Sequence, residues 1–438
     1  MNLLFTSKQD GRPEGLRHSE LSTTAESHVP YFRTTPAERF LLFATVIILP
    51  LEAHIPPVAG FSASFFMFTV LAAYVAINRL QCLDRVWMHP VFVAAYLFIG
   101  ISVAMEFASP SSRYGDIATF ALMVVGALLV ASLCRDRAAL KVFLYGYIGV
   151  SLWLGSLLIL TTYGALSAAS ATGFHEASKV RSQALSEMPI QANLNRMAFD
   201  CTQGAIVAVA FALGSASVRV RSFFAAIGIF SLVASTLPMS RGALINILVS
   251  CGVILKANGI RHVRVWIFVA VTAISAVLLV PDAVWTRMVV MPEGNKMEKR
   301  ASLYVSAWEN VEDYIFMGVG AGNYFNNWGF EHGFGIEGSA VRLFVVHNAF
   351  LQVLIFWGLI SLIVFLAIFW LAYRCLPRTY GKDVLAIGML GIAVSLLTLM
   401  PFSSSFSTKG LSLGLGMLVA YQRWLSPRSA ASDRHDEL

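Results

Sequence analysis

The feature that most constrains this chain is the spacing of its apolar residues. They form separate runs of roughly 14 to 24 residues, joined mostly by short polar connections. A helix of about 20 apolar residues crosses a bilayer, so each run predicts one transmembrane helix. The mean hydropathy of +0.68 also lies outside the range of soluble domains. We predict an all-α integral membrane protein with about twelve transmembrane helices.

The polar segments between these runs divide the chain into regions. Residues 1–37 are rich in Ser, Thr and Arg and predict a disordered cytoplasmic tail. Transmembrane helices 1–9 would occupy residues 38–281, and helices 10–12 residues 346–425. Between them lies a long loop of residues 282–345, and residues 426–438 form a second cytoplasmic tail.

The distribution of basic residues predicts the orientation in the membrane. About two thirds of the 32 lysines and arginines lie in connections on the same side as both termini, although the segments on the other side are longer in total. Both termini are thus expected in the cytoplasm, and the long loop on the outer side of the membrane. The net charge of +7 follows from this distribution and does not indicate nucleic acid as a partner.

The long loop contains two patterns of its own. The stretch "KRASLYVSAWENVEDYIF" predicts an amphipathic helix, which would lie along the outer membrane interface or cap the helical bundle. Its apolar residues recur at helical spacing, at Leu303, Tyr304, Trp308, Val311 and Ile315. The following "GVGAG" lacks the preceding strand of a dinucleotide-binding loop, so it predicts a tight turn where the backbone approaches a ligand or a neighbouring helix.

Basic residues from distant parts of the sequence are expected on the outer side. Arg241 lies at the mouth of the eighth span, Lys299 and Arg300 begin the loop helix, and Arg342 precedes His347 at the start of the tenth span. Each alone has an ordinary explanation, such as an interfacial arginine or a solvated loop residue. Together, two guanidinium groups would bind a phosphate, and an imidazole with a pKa of about 6.5 would take a proton from an attacking hydroxyl. The set predicts group transfer from a lipid-linked phosphate or pyrophosphate.

Polar residues at two other helix ends leave alternatives open. Asn193, Asn195 and Arg196 would hydrogen-bond sugar hydroxyls at the outer end of the sixth span, or Arg196 would simply neutralise Asp200 four residues later. Asn348 would orient the imidazole of its neighbour or fix the start of the helix, and the structural role is favoured.

The sequence predicts neither a metal nor another cofactor. The outer loops contain no D-x-D or E-x-D pair and no His/Cys/Asp cluster with the spacing of metal ligands. Arginine side chains would then have to stabilise the leaving group themselves.

Four short motifs, in this order, resemble the O-antigen ligase and polymerase family. They are "SRG" at 240–242, "RASLYVSAW" at 300–308, "GVGAGNYF" at 318–325 and "HNAFLQ" at 347–352. The resemblance implies a GT-C-like membrane glycosyltransferase that moves a glycan from undecaprenyl pyrophosphate to an acceptor in the periplasm, without a metal. In the ligase branch, which the chain resembles most, the acceptor is a sugar hydroxyl of the lipid A-core oligosaccharide.

Carried over to this chain, the resemblance implies roles for single residues. Arg241 and Arg300 would bind the pyrophosphate, and His347 would activate or orient the acceptor hydroxyl. The protein would lie in the bacterial inner membrane. The nearest alternatives are a polymerase of O-antigen or exopolysaccharide and a protein O-oligosaccharyltransferase. A transporter or flippase is disfavoured because few ionisable residues lie near mid-membrane.

Overall fold

A computed structural model provides the structure of the chain. The described residues are 33–51, 62–168, 173–186, 194–290, 295–336, 342–343, 346–376, 383–402 and 409–425. The predicted C-terminal tail and residues 1–32 of the predicted N-terminal tail lie outside them. The first helix already begins at Pro36, inside the segment predicted as tail.

The first half of the chain forms long helices with short connections. They are α1 Pro36–Leu51, α2 Ala63–Asn78, α3 Leu80–Asp84, α4 Pro90–Ala108, α5 Gly115–Leu133, α6 Arg137–Leu158, α7 Gly164–Ala168, α8 Phe174–Ser186, α9 Leu194–Gly214, α10 Val218–Thr236, α11 Arg241–Asn258, α12 Val263–Leu279 and α13 Asp282–Val289. Pro281 separates α12 from α13, and the two helix axes differ in direction by 108°.

The second half begins with short elements and ends with long helices. The helices are α14 Asn295–Glu309, α15 Val311–Tyr314, α16 Ala321–Asn323, α17 Gly329–Glu331, α18 Ala349–Arg374, α19 Val384–Leu399 and α20 Lys409–Ala420. Two short antiparallel strands, β1 Gly335–Ile336 and β2 Arg342–Leu343, pair with each other. Single helical turns complete the structure at Ile159–Tyr163, Tyr324–Trp328, Met400–Phe402 and Tyr421–Leu425.

The chain is a multi-pass membrane protein. A helix overlaps each segment that the sequence predicted to span the membrane. Of the helices in the described residues, however, only eight are long and apolar enough to cross a bilayer, or nine if the bent pair of α12 and α13 is one span. Helices α1 and α2 have 16 residues each. The count of twelve and the GT-C class therefore stay predictions.

Helix α9 occupies the centre of the bundle and packs against α6, α10, α11 and α19. Its residues are buried along nearly the whole length of the helix. By contrast, α12 has one buried residue, Val265, and exposes apolar side chains on its other faces. In a membrane, such side chains face lipid without penalty, so the exposed faces agree with a transmembrane position.

One end of the bundle, here called the Glu38 end, is held by buried charges. Glu38 is fully buried and accepts hydrogen bonds from Arg135 Nη2 at 2.7 and 2.9 Å, from Arg79 Nε at 2.5 Å and from the Thr35 amide at 2.6 Å. The guanidinium group of Arg135 is buried as well. Because the partners lie before α1, after α2 and after α5, this cluster joins three helices.

The long loop differs from its predicted form. The expected single helix ends at Glu309, because the backbone departs from helical angles at Asn310 and the Asn310 side chain donates to Ser306 O. A new turn, α15, follows, and Tyr314 Oη donates to Ala307 O. Leu303, Ala307 and Tyr314 are buried, whereas Trp308 is 78% exposed. The predicted apolar face therefore packs on the protein in part: Leu303 is buried and Val311 and Ile315 are half-buried, while Tyr304 and Trp308 are exposed.

Candidate active site

The start of α18 presents His347 to solvent between two anchored neighbours. Val346 and Ala349 are buried, whereas His347 is exposed. Asn348 is the helix cap: its Oδ1 accepts from the amides of Phe350 at 3.0 Å and Leu351 at 3.1 Å. The cap confirms the structural role favoured for Asn348. It also places His347 at a helix N-terminus, where unpaired backbone N–H groups favour an anion.

Helix α18 is broken at its tenth residue, Gly358, which has a φ of 76°. In an unbroken helix the Leu359 amide would donate to Ile355 O. Instead it donates to Ile315 O at 2.8 Å, and the Val319 amide donates to Ile355 O at 2.8 Å. We call this exchange, between residues 315–320 and 355–359, the Gly358 junction. It attaches the long loop directly to the backbone of α18.

The glycines of "GVGAG" are required by this close approach. Gly318 has a φ of 73°, and a Cβ at this position would lie 2.3 Å from Phe356 O. Gly320 has a φ of 80°, and a Cβ there would lie 2.2 Å from Ser109 Oγ. The motif is therefore a turn packed against neighbouring helices, which is one of the two alternatives left open by the sequence.

A buried carboxylate organises the same turn. Glu106, near the end of α4, is fully buried and accepts from the amides of Ala321 and Gly322, both at 2.8 Å. It also accepts from the Arg113 amide at 2.6 Å and from Trp357 Nε1 at 3.1 Å. Glu106 thus links α4, the glycine turn and the residue just before the Gly358 break.

Arg241, the first residue of α11, binds the end of α13. Its Nε and Nη2 atoms donate to Arg287 O at 3.3 and 3.0 Å, and Nη2 also donates to Val290 O. Ser240 caps the helix by accepting from the Ala243 amide at 3.4 Å. These bonds hold the guanidinium group of Arg241 against the end of α13.

Two further arginines hold the turn before Arg241, where Met239 adopts a φ of 53°. Arg287 Nε donates to Met239 O at 3.2 Å, and its Nη1 donates to Ser178 Oγ at 2.6 Å. Arg181 Nε donates to Pro238 O at 2.7 Å. Positive φ is uncommon for residues other than glycine, so these bonds stabilise a turn that the sequence alone disfavours.

The polar group predicted around α9 has structural partners. Asn195 Oδ1 accepts from Arg181 Nη2 at 2.8 Å, and Arg196 Nε lies 3.3 Å from Asp200 Oδ2. The ion pair is the alternative in which Arg196 and Asp200 neutralise each other. Whether Asn195 or Arg196 also contacts a glycan stays a prediction.

Arg241 and His347 lie at the same end of the bundle, here called the His347 end. The turn Met400–Phe402 contacts α18, and a Cβ on Gly242 would lie 3.1 Å from Phe402 Cβ. A single turn therefore lies between the start of α11 and α18. That the two side chains bind one anion stays a prediction.

For three further predicted site residues, the structure gives the element to which each belongs. Lys299 and Arg300 belong to α14, and Arg342 belongs to β2, opposite Ile336. Asn193 lies outside the described residues. Their roles in binding a substrate stay predictions.

Glu106, Arg181 and Arg287 were not predicted as site residues. Glu106 could have been noticed, because a carboxylate that closes an apolar span is rare and costly unless it has partners. Arg287 lies in the last turn of a short helix that begins after Pro281, where a basic side chain is favoured. No local sequence pattern indicates the distant partners of Arg181.

Comparison with known proteins gives a match in the part of the chain that contains Arg241 and His347. A search among curated proteins finds no match to the chain. A family model described as O-antigen ligase matches residues 223–366, about a third of the chain. The matched segment contains Arg241, the glycine turn and His347, while Glu106 lies outside it. The match confirms the resemblance of the motifs, and residues 223–366 are similar to the O-antigen ligase family.

Proposed function

We propose that this protein is an O-antigen ligase of the bacterial inner membrane. It transfers a glycan from undecaprenyl pyrophosphate to a sugar hydroxyl of the lipid A-core oligosaccharide on the periplasmic side, without a metal. The family match implies a membrane-embedded enzyme with lipid-linked glycan substrates. The donor, the acceptor and the side of the membrane are parts of our proposal.

The observation that carries the proposal is the position of His347 within the matched segment. Its ring is exposed at the N-terminus of α18, at the same end of the bundle as Arg241. A polyprenyl donor keeps its tail in the bilayer, so its pyrophosphate lies near the membrane surface, within reach of such a helix end. The helix N-terminus and the guanidinium groups both favour an anion there.

In the proposed reaction, the anomeric carbon of the donor sugar exchanges its bond to a pyrophosphate oxygen for a bond to the acceptor oxygen. The acceptor hydroxyl gives its proton to His347, and its oxygen forms a bond to the anomeric carbon of the donor sugar. The bond between that carbon and the pyrophosphate oxygen breaks, and undecaprenyl pyrophosphate leaves with the electron pair. Arg241 and Arg300 stabilise the charge of the leaving group, which is the usual function of preorganised donors in such transfers. The proton then passes from His347 to solvent.

Three alanine substitutions test the proposal. His347→Ala, Arg241→Ala and Arg300→Ala should each reduce glycan transfer by at least about 100-fold, the usual effect of removing an acid–base group or a charge-stabilising donor. Arg261→Ala and His262→Ala are matched controls, because both residues are exposed and lie between α11 and α12, at the Glu38 end. Normal transfer by all three site variants would contradict the proposal.

The phenotype of a deletion strain separates the alternatives. Loss of a ligase leaves bare core and accumulates polymerised lipid-linked glycan, whereas loss of a polymerase leaves core with a single repeat. Loss of glycan from proteins alone would indicate a protein O-oligosaccharyltransferase. Accumulation of the donor on the cytoplasmic side would indicate a flippase.

The pH dependence of transfer tests the role of His347. A general base is inactive when protonated, so the rate should fall as the pH drops through the pKa of the imidazole. A rate constant that does not change between about pH 5 and 8 would contradict a proton-accepting role.

A further inference from the structure

A cavity of about 360 Å³ lies beside the Gly358 junction, between the end of α4 and residues 313–328 of the long loop. Ser109 and Pro110 line one side, and Asp313, Asn323 and Trp328 line the other. Gly318 and Val319 belong both to the cavity wall and to the junction. The volume is within the range of about 300–1,000 Å³ that is typical of small-molecule sites.

Asp313, whose side chain is about half exposed, presents one carboxylate oxygen that accepts no hydrogen bond from the described residues. Its Oδ2 accepts from Trp328 Nε1 at 3.0 Å and lies 3.5 Å from His332 Nε2. The Trp328 ring is buried and packs against the rings of His332 and Phe334, with centroids 4.5 and 5.5 Å away. Oδ2 is thereby held in place. Within the described residues, Oδ1 has no hydrogen-bond partner.

Asn323 contributes a second open polar group. It is half-buried, and its carboxamide makes no hydrogen bond to the part of the chain that the structure describes. The carboxamide can donate and accept, and the Asp313 carboxylate can accept. The neighbouring wall is apolar at Met105, Met317 and Val319. A small number of polar groups in an otherwise apolar pocket fixes the orientation of a ligand.

We propose that this cavity binds one sugar residue of the glycan substrates, with Asp313 and Asn323 as its polar contacts. This inference rests on the proposed function. A pyranose has adjacent hydroxyl groups that donate to a carboxylate and exchange hydrogen bonds with an amide, while its C–H faces pack on apolar side chains. The charged acceptor makes the hydroxyl contacts stronger than neutral ones.

The position of the cavity fits a sugar close to the reacting bond but not at it. Val319 in the cavity wall donates to Ile355 O, and Ile355 lies six residues into α18. At about 1.5 Å per residue, Ile355 is roughly 10 Å from the helix end that bears His347, and Val319 brings the cavity wall to this level of α18. A site at this distance would select the glycan and hold it in register without taking part in bond cleavage.

Two substitutions with matched controls test the cavity. Asp313→Asn keeps an oxygen that can accept from Trp328 Nε1 but replaces the open acceptor with a donor. Glu312→Gln makes the same chemical change at the adjacent exposed residue, which does not line the cavity. Asn323→Ala removes the open amide, and Asn327→Ala is its exposed control in the same loop.

Binding is measured by calorimetry on the full-length protein in lipid nanodiscs, with two soluble probes. One is core oligosaccharide released from lipid A, and the other is polysaccharide released from the lipid-linked donor. At least one probe should bind the wild-type protein, and the probe that binds identifies the acceptor or the donor as the source of the sugar. Its affinity should fall about tenfold in Asp313→Asn and in Asn323→Ala but stay unchanged in both controls.

The steady-state kinetics should change in the same way. The KM for the same substrate should rise about tenfold in the two cavity variants, while kcat stays within about twofold of the wild-type value. Affinities equal to wild type in both cavity variants would overturn the proposal, and so would a wild-type protein that binds neither probe. His347→Ala should bind the probe normally. If His347→Ala, Arg241→Ala and Arg300→Ala all transferred glycan normally, the proposed function would fail while the cavity assignment stood.

Discussion

The two ends of the bundle each bury a glutamate but satisfy it differently. At the Glu38 end, the carboxylate of Glu38 is bound by the guanidinium groups of Arg135 and Arg79. At the His347 end, the carboxylate of Glu106 is bound by three backbone amides and the indole N–H of Trp357. The first carboxylate is matched by opposite charge and the second by neutral donors.

This difference concerns how each end is held together. At the Glu38 end, anion and cations neutralise each other and hold helices together. At the His347 end, the backbone amides of the glycine turn and of Arg113, together with Trp357 Nε1, supply the donors for Glu106. Arg181, Arg241 and Arg287 each donate to a backbone carbonyl oxygen at this end. The first end is therefore joined through ion pairs between side chains, and the second through hydrogen bonds to the backbone of its turns.

The largest effect is expected at the Glu38 end. Arg135→Ala leaves a buried carboxylate with one guanidinium partner, so the free energy of unfolding should fall by about 3–5 kcal/mol. Arg137→Ala is the control at the same end, since its ion pair with Asp383 is largely exposed and should contribute less than about 1 kcal/mol. Denaturant unfolding in bicelles measures both. Equal stability of the two variants would mean that the buried ion pairs of Glu38 do not hold this end together more strongly than an exposed pair does.

Glu106→Ala should affect the His347 end locally. Each buried donor left without an acceptor costs about 1–3 kcal/mol, so the amides of residues 318–322 and 355–359 should exchange with solvent faster. Because the Gly358 junction holds the segment that follows His347, glycan transfer should fall roughly 100-fold. Glu106→Gln retains one acceptor oxygen and should lose less. Hydrogen exchange followed by mass spectrometry, together with a transfer assay, measures these effects, and unchanged exchange would refute the role of Glu106.

Gly318→Ala tests the turn that binds Glu106. Its φ of 73° costs a residue with a Cβ about 1–2 kcal/mol, and the new atom would contact Phe356 O. Gly100→Ala in α4 is the matched control, because a Cβ there meets no atom within 4 Å. The control should be neutral or more stable by up to about 1 kcal/mol. Thermal unfolding of the two variants would show whether the difference has this sign.

The smallest effect is expected from pH at the Glu38 end, where Asp136 caps α6. Burial raises the pKa of this carboxyl, but hydrogen bonds from Thr34 and the Ala139 amide and the charge of Arg39 together hold the pKa below its ordinary value. A lowered pKa means that the stabilisation is complete at neutral pH and is lost as the pH falls below about 4. Asp136→Asn should lose about 1 kcal/mol of stability at pH 7, and this loss should become smaller as the pH falls through the lowered pKa of the folded state. A constant difference across this range would contradict the pKa direction.

Much of the fold could be predicted from the sequence because its signals are local. The apolar runs predicted the positions of the long helices, and an asparagine before an apolar run is a common helix cap, as Asn348 is. The long loop was harder. Helical periodicity predicted the helix that carries Trp308, but not its end at Glu309, because the apolar spacing continues past the point where the Asn310 side chain donates to Ser306 O.

The contacts that shape the candidate site join residues far apart in the chain. Glu106 and Ala321 are 215 positions apart, so no local pattern relates them. The break at Gly358 also had no local signal, since glycine is common in transmembrane helices and the run around it is continuously apolar. The helix breaks there because the Val319 amide of the long loop donates to Ile355 O in place of the Leu359 amide.

The Gly358 junction has a consequence for biogenesis. A nascent α18 entering the bilayer must satisfy its own backbone, so it should first insert as a continuous helix, with Leu359 bonded to Ile355. The native pattern requires this bond to be replaced by two bonds to the long loop, in which Leu359 donates to Ile315 O and Ile355 O accepts from the Val319 amide, after α4 has already been inserted. His347 would thus reach its final orientation in a late rearrangement within the membrane, which delays activity until the surrounding helices have assembled.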